Sequence, residues 1–136
     1  MWKIAMVVVL AAHGIGHSLG LFPAVGLAPT TALPKWTGES WLLPGASPSL
    51  AHAVGGLLWL VAGVGFLLLA AVVLGWISET WWQPLAIVSG TVSLLAIVVF
   101  PAGFPTLVNL IGAAAVDIAV LVATIWYEWA PSALES

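Results

Sequence analysis

The chain has 136 residues, 62% of them hydrophobic and 5% charged, with a mean hydropathy of +1.19. Too little polar surface remains to cover a soluble globule, so lipid is its solvent and a single integral membrane domain over residues 1–136 is expected. Five acids against two lysines give a net charge of −3, which leaves no basic surface for a nucleic-acid backbone. The lack of cysteine removes disulfides, thiolate metal sites and thiol catalysis.

Four apolar runs are long enough to cross ~30 Å of hydrocarbon at 1.5 Å per residue. They cover about 2–22, 50–77, 83–100 and 106–127. The first, from Trp2 to Phe22, carries Lys3 near its start and is followed by Pro23, where a missing N–H and a clashing ring stop a helix. With Gly26, Leu27 and Ala28 behind it, this run imitates a signal peptide. Its two histidines and three glycines make it a poor one. The third run ends before Pro101, and Pro84 and Pro105 stand at helix starts, where proline is tolerated.

The connection over residues 23–49 is long and holds five of the nine prolines together with Lys35, Trp36, Glu39 and Trp41. The other two are about five residues each. A connection of that length reads either as a lid or docking surface over one end of the bundle, or as an interfacial segment whose tryptophans lie among headgroups.

Four spans put both ends of the chain on one side. Trp2, Trp76, Trp81, Trp82, Trp126, Tyr127 and Trp129 then fall at one membrane face as an aromatic belt. Lys3 favours a cytoplasmic terminus while Lys35 in the opposite loop balances it, and the termini are assigned to the inside.

The belt sets a scale of depth. At 1.5 Å per residue from the tryptophan of each helix, His13 lies about 16 Å in and Asp117 about 14 Å in. His17 and Asn109 lie about 22 Å and 26 Å in. In an up-down four-helix bundle the first and last helices are neighbours, so the two pairs are expected to face each other. Helical phase agrees: His13 and His17 are four apart, and Asn109, Asp117 and Thr124 fall within roughly 80° of one another. Small residues accompany each stripe, Gly16 and Gly20 on the first helix and Gly112 to Ala115 on the last, as helix contacts in membranes require. Ser89 and Ser93 on the third helix reach similar depths.

An ionisable group at the bilayer centre costs roughly 2.5–3.5 kcal/mol on insertion scales and marks a site by default. Three readings of His13, His17, Asn109 and Asp117 stand open. One is an interhelical clamp. Another is a metal site on His13, His17 and Asp117, since imidazoles at i and i+4 converge on one ion. The third is a proton or small-molecule site, because a histidine beside a buried acid exchanges protons with a quinone headgroup or a solute. His52 would be a further ligand, but it sits about 36 Å along its helix from Trp76, at the interface opposite the termini. Haem between His13 and His17 is excluded, because axial ligands approach from opposite faces.

Glu79, Glu128 and Glu135 read as solvated. No Gly-x-Ser-x-Gly elbow, no lysine at a useful spacing from a serine and no phosphate-binding glycine loop occurs, so no catalytic residues are assigned.

The runs from Ala12 to Phe22, from Gly56 to Leu60 and from Phe104 to Asn109 resemble a family of small four-helix bacterial membrane proteins, broadly similar to the DoxX-like group. Its pattern is His-Gly-x-x-His-Leu-x-Gly-Phe early and Phe-Gly-Thr-x-x-Asn late, matched here by His13, Gly14, His17, Gly20, Phe104, Thr106 and Asn109. An acid often precedes the late motif in that family, where this chain has Pro101 and Ala102. The resemblance implies the four-helix fold and a bacterial inner membrane, and no reaction.

Together these features describe an all-α, four-helix transmembrane bundle of up-down topology, with a long loop between its first and second spans. The expected role is a non-catalytic accessory or interaction subunit of a larger membrane complex, or a homo-oligomer, in contact with lipid. The alternative is a binder of a metal ion, quinone or other small ligand at the His/Asp/Asn cluster, with proton transfer. No cofactor is assigned.

Overall fold

The computed structural model of the chain describes residues 1–27, 40–104 and 106–134. Ala28, Lys35, Trp36, Glu39, Pro105 and Glu135 lie outside the described residues. The fold is all-α. Helices α1 (Trp2–Gly16) and α2 (Ser18–Ala24) together make the first span, followed by α3 (Pro48–Leu74), α4 (Trp82–Val99) and α5 (Leu107–Ile125). Each of the four spans is long and apolar enough to cross a membrane, so the chain is an integral membrane protein in contact with lipid.

Local chemistry sets the helix ends. Ser47 caps α3 by accepting from Leu50 N–H at 3.3 Å, with Pro48 in the first helical position. Gly75, at φ 80°, ends α3 in the left-handed conformation, and Trp76 N–H reaches back to the Ala71 carbonyl at 2.9 Å. Thr106 caps α5 by accepting from Asn109 N–H at 3.2 Å. At the end of α4 the long connection supplies what the helix lacks. Ser40 Oγ donates to the Val99 carbonyl and Trp41 Nε1 to the Val98 carbonyl, both at 2.6 Å, satisfying carbonyls that have no partner within the helix.

The expectation that Pro23 stops the first helix is corrected. Pro23 lies inside α2, one residue before its end. The interruption falls earlier, at His17, whose N–H is shared at 3.3 Å between the Gly14 and His13 carbonyls. Three glycines around this turn, Gly14, Gly16 and Gly20, weaken the helix there far more than a proline near its last residue does.

Packing runs in an arc. The α1–α2 span packs on α3, α3 on α4 and α4 on α5, whereas α1 and α5 are not a closely packed pair. Burial follows this order: half of the most apolar window of α3 is buried (50%) and 44% of that of α4, against 22% and 17% for the outer spans. The first and last helices therefore face each other through the His13–Asp117 bond without the close packing expected between them.

Small residues explain the arc. Gly14 meets α3 backbone to backbone: a methyl group there would lie 2.9 Å from the Gly63 carbonyl oxygen. Ser89 of α4 nests on Gly65, and Leu121 of α5 nests on Gly90. Gly16 and Gly112, which were expected to let α1 and α5 approach, have nothing within 4 Å of a methyl group in their place. They line empty space.

Two apolar clusters fill the interior. Leu10, Phe66, Leu69, Val73, Trp82, Ala86 and Val120 form one, and Ala24, Ala51, Trp59, Ala96 and Phe100 the other. Trp2, Trp76, Trp81 and Trp126 stand exposed at helix ends. Glu79, beside Trp81, accepts from Ser132 N–H at 3.2 Å and from its hydroxyl at 2.7 Å, which ties the α3–α4 turn to the segment after α5.

Candidate functional site

Four polar side chains from three helices meet in a continuous hydrogen-bonded chain between the two apolar clusters. His13 Nε2 lies 2.8 Å from Asp117 Oδ1. Ser93 of α4 donates to Asp117 Oδ2 at 2.6 Å and lies 3.2 Å from His17 Nε2. A serine hydroxyl has a single proton. Since that proton goes to Asp117, His17 Nε2 is the donor to Ser93. Both imidazoles thus present their Nε2–H toward the Asp117–Ser93 couple, directly or through the hydroxyl, and Asp117 has no solvent exposure.

Phe66 of α3 is the floor of this cluster. Its ring lies 4.3 Å from that of His13, edge-on at 79°, and 6.0 Å from that of His17, nearly parallel at 22°. The two imidazoles are 4.9 Å apart and perpendicular. The irregular turn at His17 falls at the residue whose ring reaches Ser93 of α4.

Asn109 does not join the chain. It is exposed, and its side-chain oxygen accepts from the Thr106 hydroxyl while its backbone donates to the same residue. Depth matched it to His17, but α5 stands away from α2 at this level and the helix cap holds the carboxamide. Thr124, expected on the same stripe, is buried at the belt end of α5, and its hydroxyl has no partner among the described residues. Ser89 is likewise buried with its hydroxyl unpartnered, against Gly65. His52 lies near the start of α3, outside the group formed by His13, His17 and Asp117.

The cluster opens on a cavity of about 420 Å³ in the α1–α5 seam. Among the described residues His13, His17 and Asn109 are its polar side chains, and Val9, Gly16, Gly20, Trp59, Phe104, Gly112 and Val116 are among the other residues that line it. Asp117 and Ser93 are not part of that lining; they stand behind the imidazoles. Trp59 closes one end, its indole held between Gly20 and Gly103, where a methyl group on either would come within 2.5 Å of the ring.

The metal reading has a geometric basis. One ligand atom each from His13, His17 and Asp117 lies within 4.8 Å of the others. A tetrahedral zinc site spaces its ligand atoms by about 3.3 Å, so the 2.8 Å contact between His13 and Asp117 would have to open.

Comparison of the chain with family models, with curated proteins and with solved structures finds no match in any of the three, so no family is identified. What sequence reasoning missed is the apolar frame: Phe66, Trp59 and the Gly14–Gly63 contact. The only signal for it was the abundance of glycine in the first two spans.

Proposed function

We propose that the protein binds a small, mostly apolar ligand with a hydrogen-bonding group in the α1–α5 cleft, where His13 and His17 contact it and the His13–Asp117 pair exchanges a proton with it. One observation carries the reading. The cavity is apolar except for two imidazoles and a carboxamide, and the imidazoles are oriented from behind by a carboxylate and a hydroxyl. That is the composition of a ligand site: an apolar cleft of several hundred Å³ with a few oriented polar groups. A clamp alone would pack the seam and needs no cavity beside it.

Hydrogen bonding to Asp117 and Ser93 fixes each ring by its Nε2, which leaves the other ring nitrogen for the ligand. Nitrogen NMR of the imidazoles tests this directly. The full chain in phospholipid nanodiscs is titrated with hydroquinone, and a saturable change at His13 and His17, lost in His17→Leu, is expected. No saturable change with hydroquinone or a panel of small phenols, quinones and alcohols refutes the reading.

The convergence of His13, His17 and Asp117 favours a second reading, a divalent metal with an open position toward the cavity. Cobalt(II) absorption bands that require all three residues would establish it in place of the first. The accessory-subunit role would instead put another chain against the open seam, and a co-purifying protein cross-linked to Gly16 or Gly112 positions would identify it.

A further inference from the structure

The two imidazoles differ in what they offer the cavity, because different groups hold their Nε2 atoms. The Ser93 hydroxyl gives its one proton to Asp117 Oδ2 at 2.6 Å, so at 3.2 Å it accepts from His17 Nε2. A charged His17 ring would have no counter-ion of its own, and unpaired charge inside a bilayer is costly. His17 is therefore neutral, its single N–H is spent on Ser93, and its Nδ1 is a bare lone pair. His13 has a carboxyl partner instead, 2.8 Å away, with 8% of the imidazole and none of the carboxyl exposed. The same cost makes this pair neutral as a unit. Either His13 is an imidazolium beside a carboxylate, or the proton in the contact sits on Asp117 and the ring is the Nδ1–H tautomer. Its Nδ1 carries a hydrogen in both.

We infer that the ligand is recognised through a hydroxyl group, whose oxygen accepts from His13 Nδ1 and whose hydrogen goes to His17 Nδ1. This rests on the function proposed above and names the class of its ligand: an alcohol or a phenol, and not a ketone, quinone or ether. Both rings border the cavity, and their centres are 4.9 Å apart. One oxygen making two bonds of about 2.8 Å at its tetrahedral angle joins partners about 4.5 Å apart, which is the same scale. A carbonyl or ether oxygen only accepts, so it would satisfy His13 and strand the His17 lone pair in an apolar wall. An ammonium group only donates, and it would bring a charge to a cavity whose lining holds no acid among the described residues. Val9, Trp59, Phe104 and Val116 in the rest of that lining suit a hydrocarbon or aromatic body.

Nitrogen NMR of the full wild-type chain in phospholipid nanodiscs, with each ring assigned by correlation to its own backbone, tests the inference first without a ligand. A bonded hydrogen is expected at Nδ1 of His13 and none at Nδ1 of His17. Matched pairs of one-ring compounds then test recognition: 4-methoxyphenol against 1,4-dimethoxybenzene, and cyclohexanol against cyclohexanone. The hydroxyl member of each pair is expected to perturb both imidazoles saturably. Its partner is expected to bind about fivefold or more weakly, the least that an unpaired buried acceptor costs. Any other distribution of hydrogen on the two Nδ1 atoms overturns the inference, as does a smaller preference for the hydroxyl compounds. If either result accompanies a saturable response to hydroquinone, the cleft remains a ligand site of another specificity. If hydroquinone and all four compounds leave the imidazoles unchanged, the proposed function has failed as well.

Discussion

Ser93 holds two bonds in the buried network: it donates to Asp117 and accepts from His17. Ser93→Ala should therefore cost about 1–3 kcal/mol, the penalty for stranding buried polar atoms, read as a fall in thermal stability in nanodiscs. The His13–Asp117 contact makes a sharper test. Single replacements by leucine should each destabilise by a similar amount, while the double replacement, which leaves only the Ser93 hydroxyl to find a new acceptor, should cost less than the sum of the two. Equal and additive losses would show that the pair is not coupled. The His13–Asp117 pairing was legible in the sequence because depth along two helices needs only the rise per residue and the tryptophan belt. The partner of His17 was not, since its identity depends on which helix stands opposite, and α4 rather than α5 does.

Among the helices, the G-x-x-x-G spacing of Gly16 and Gly20 was read as a contact seam, and the two residues do opposite things. Gly20 is pressed against the Trp59 indole, whereas Gly16 faces the cavity. Gly20→Ala should force the ring or α2 to move and cost about 1–3 kcal/mol. Gly16→Ala should be neutral or stabilising by a few tenths, as helix propensity gives, while occupying part of the ligand space. Thermal unfolding of the two variants side by side decides it, and equal effects would contradict the placement of α2 on α3. Spacing alone cannot separate these roles, because it gives the face of a helix but not what the face meets. The same limit hid the turn at His17: three glycines weaken the helix, but their spacing does not show that Gly14 meets Gly63 backbone to backbone.

At the level of the molecule, four spans and a long first connection were legible, because a bilayer constrains length and composition more tightly than water does, whereas Trp82, read as part of an aromatic belt, is buried in the core. The order of packing was not. Hydropathy treats all four spans alike, yet α3 and α4 are buried twice as deeply as α1 and α5. Topology has its own test. Cysteines introduced at Ser78 and Ser47 should react with a membrane-impermeant maleimide from opposite sides of sealed vesicles, and reaction from one side would refute the four-span crossing.

The hydrogen-bonded chain also has a consequence in time. His17 is 76 residues ahead of Ser93 and His13 is 104 ahead of Asp117. At ~5–20 residues per second of synthesis, roughly 5–20 s separate the appearance of the His13 imidazole from that of its carboxylate. During biogenesis the first span must therefore wait with two unsatisfied rings, sheltered by the insertion machinery or by water at its edge. Since α3 is made before either partner, docking of Gly14 on Gly63 can hold the rings in place until α4 and α5 arrive. A nascent chain arrested after α3 and one arrested after α5 would then differ in whether the first span can be extracted from the membrane.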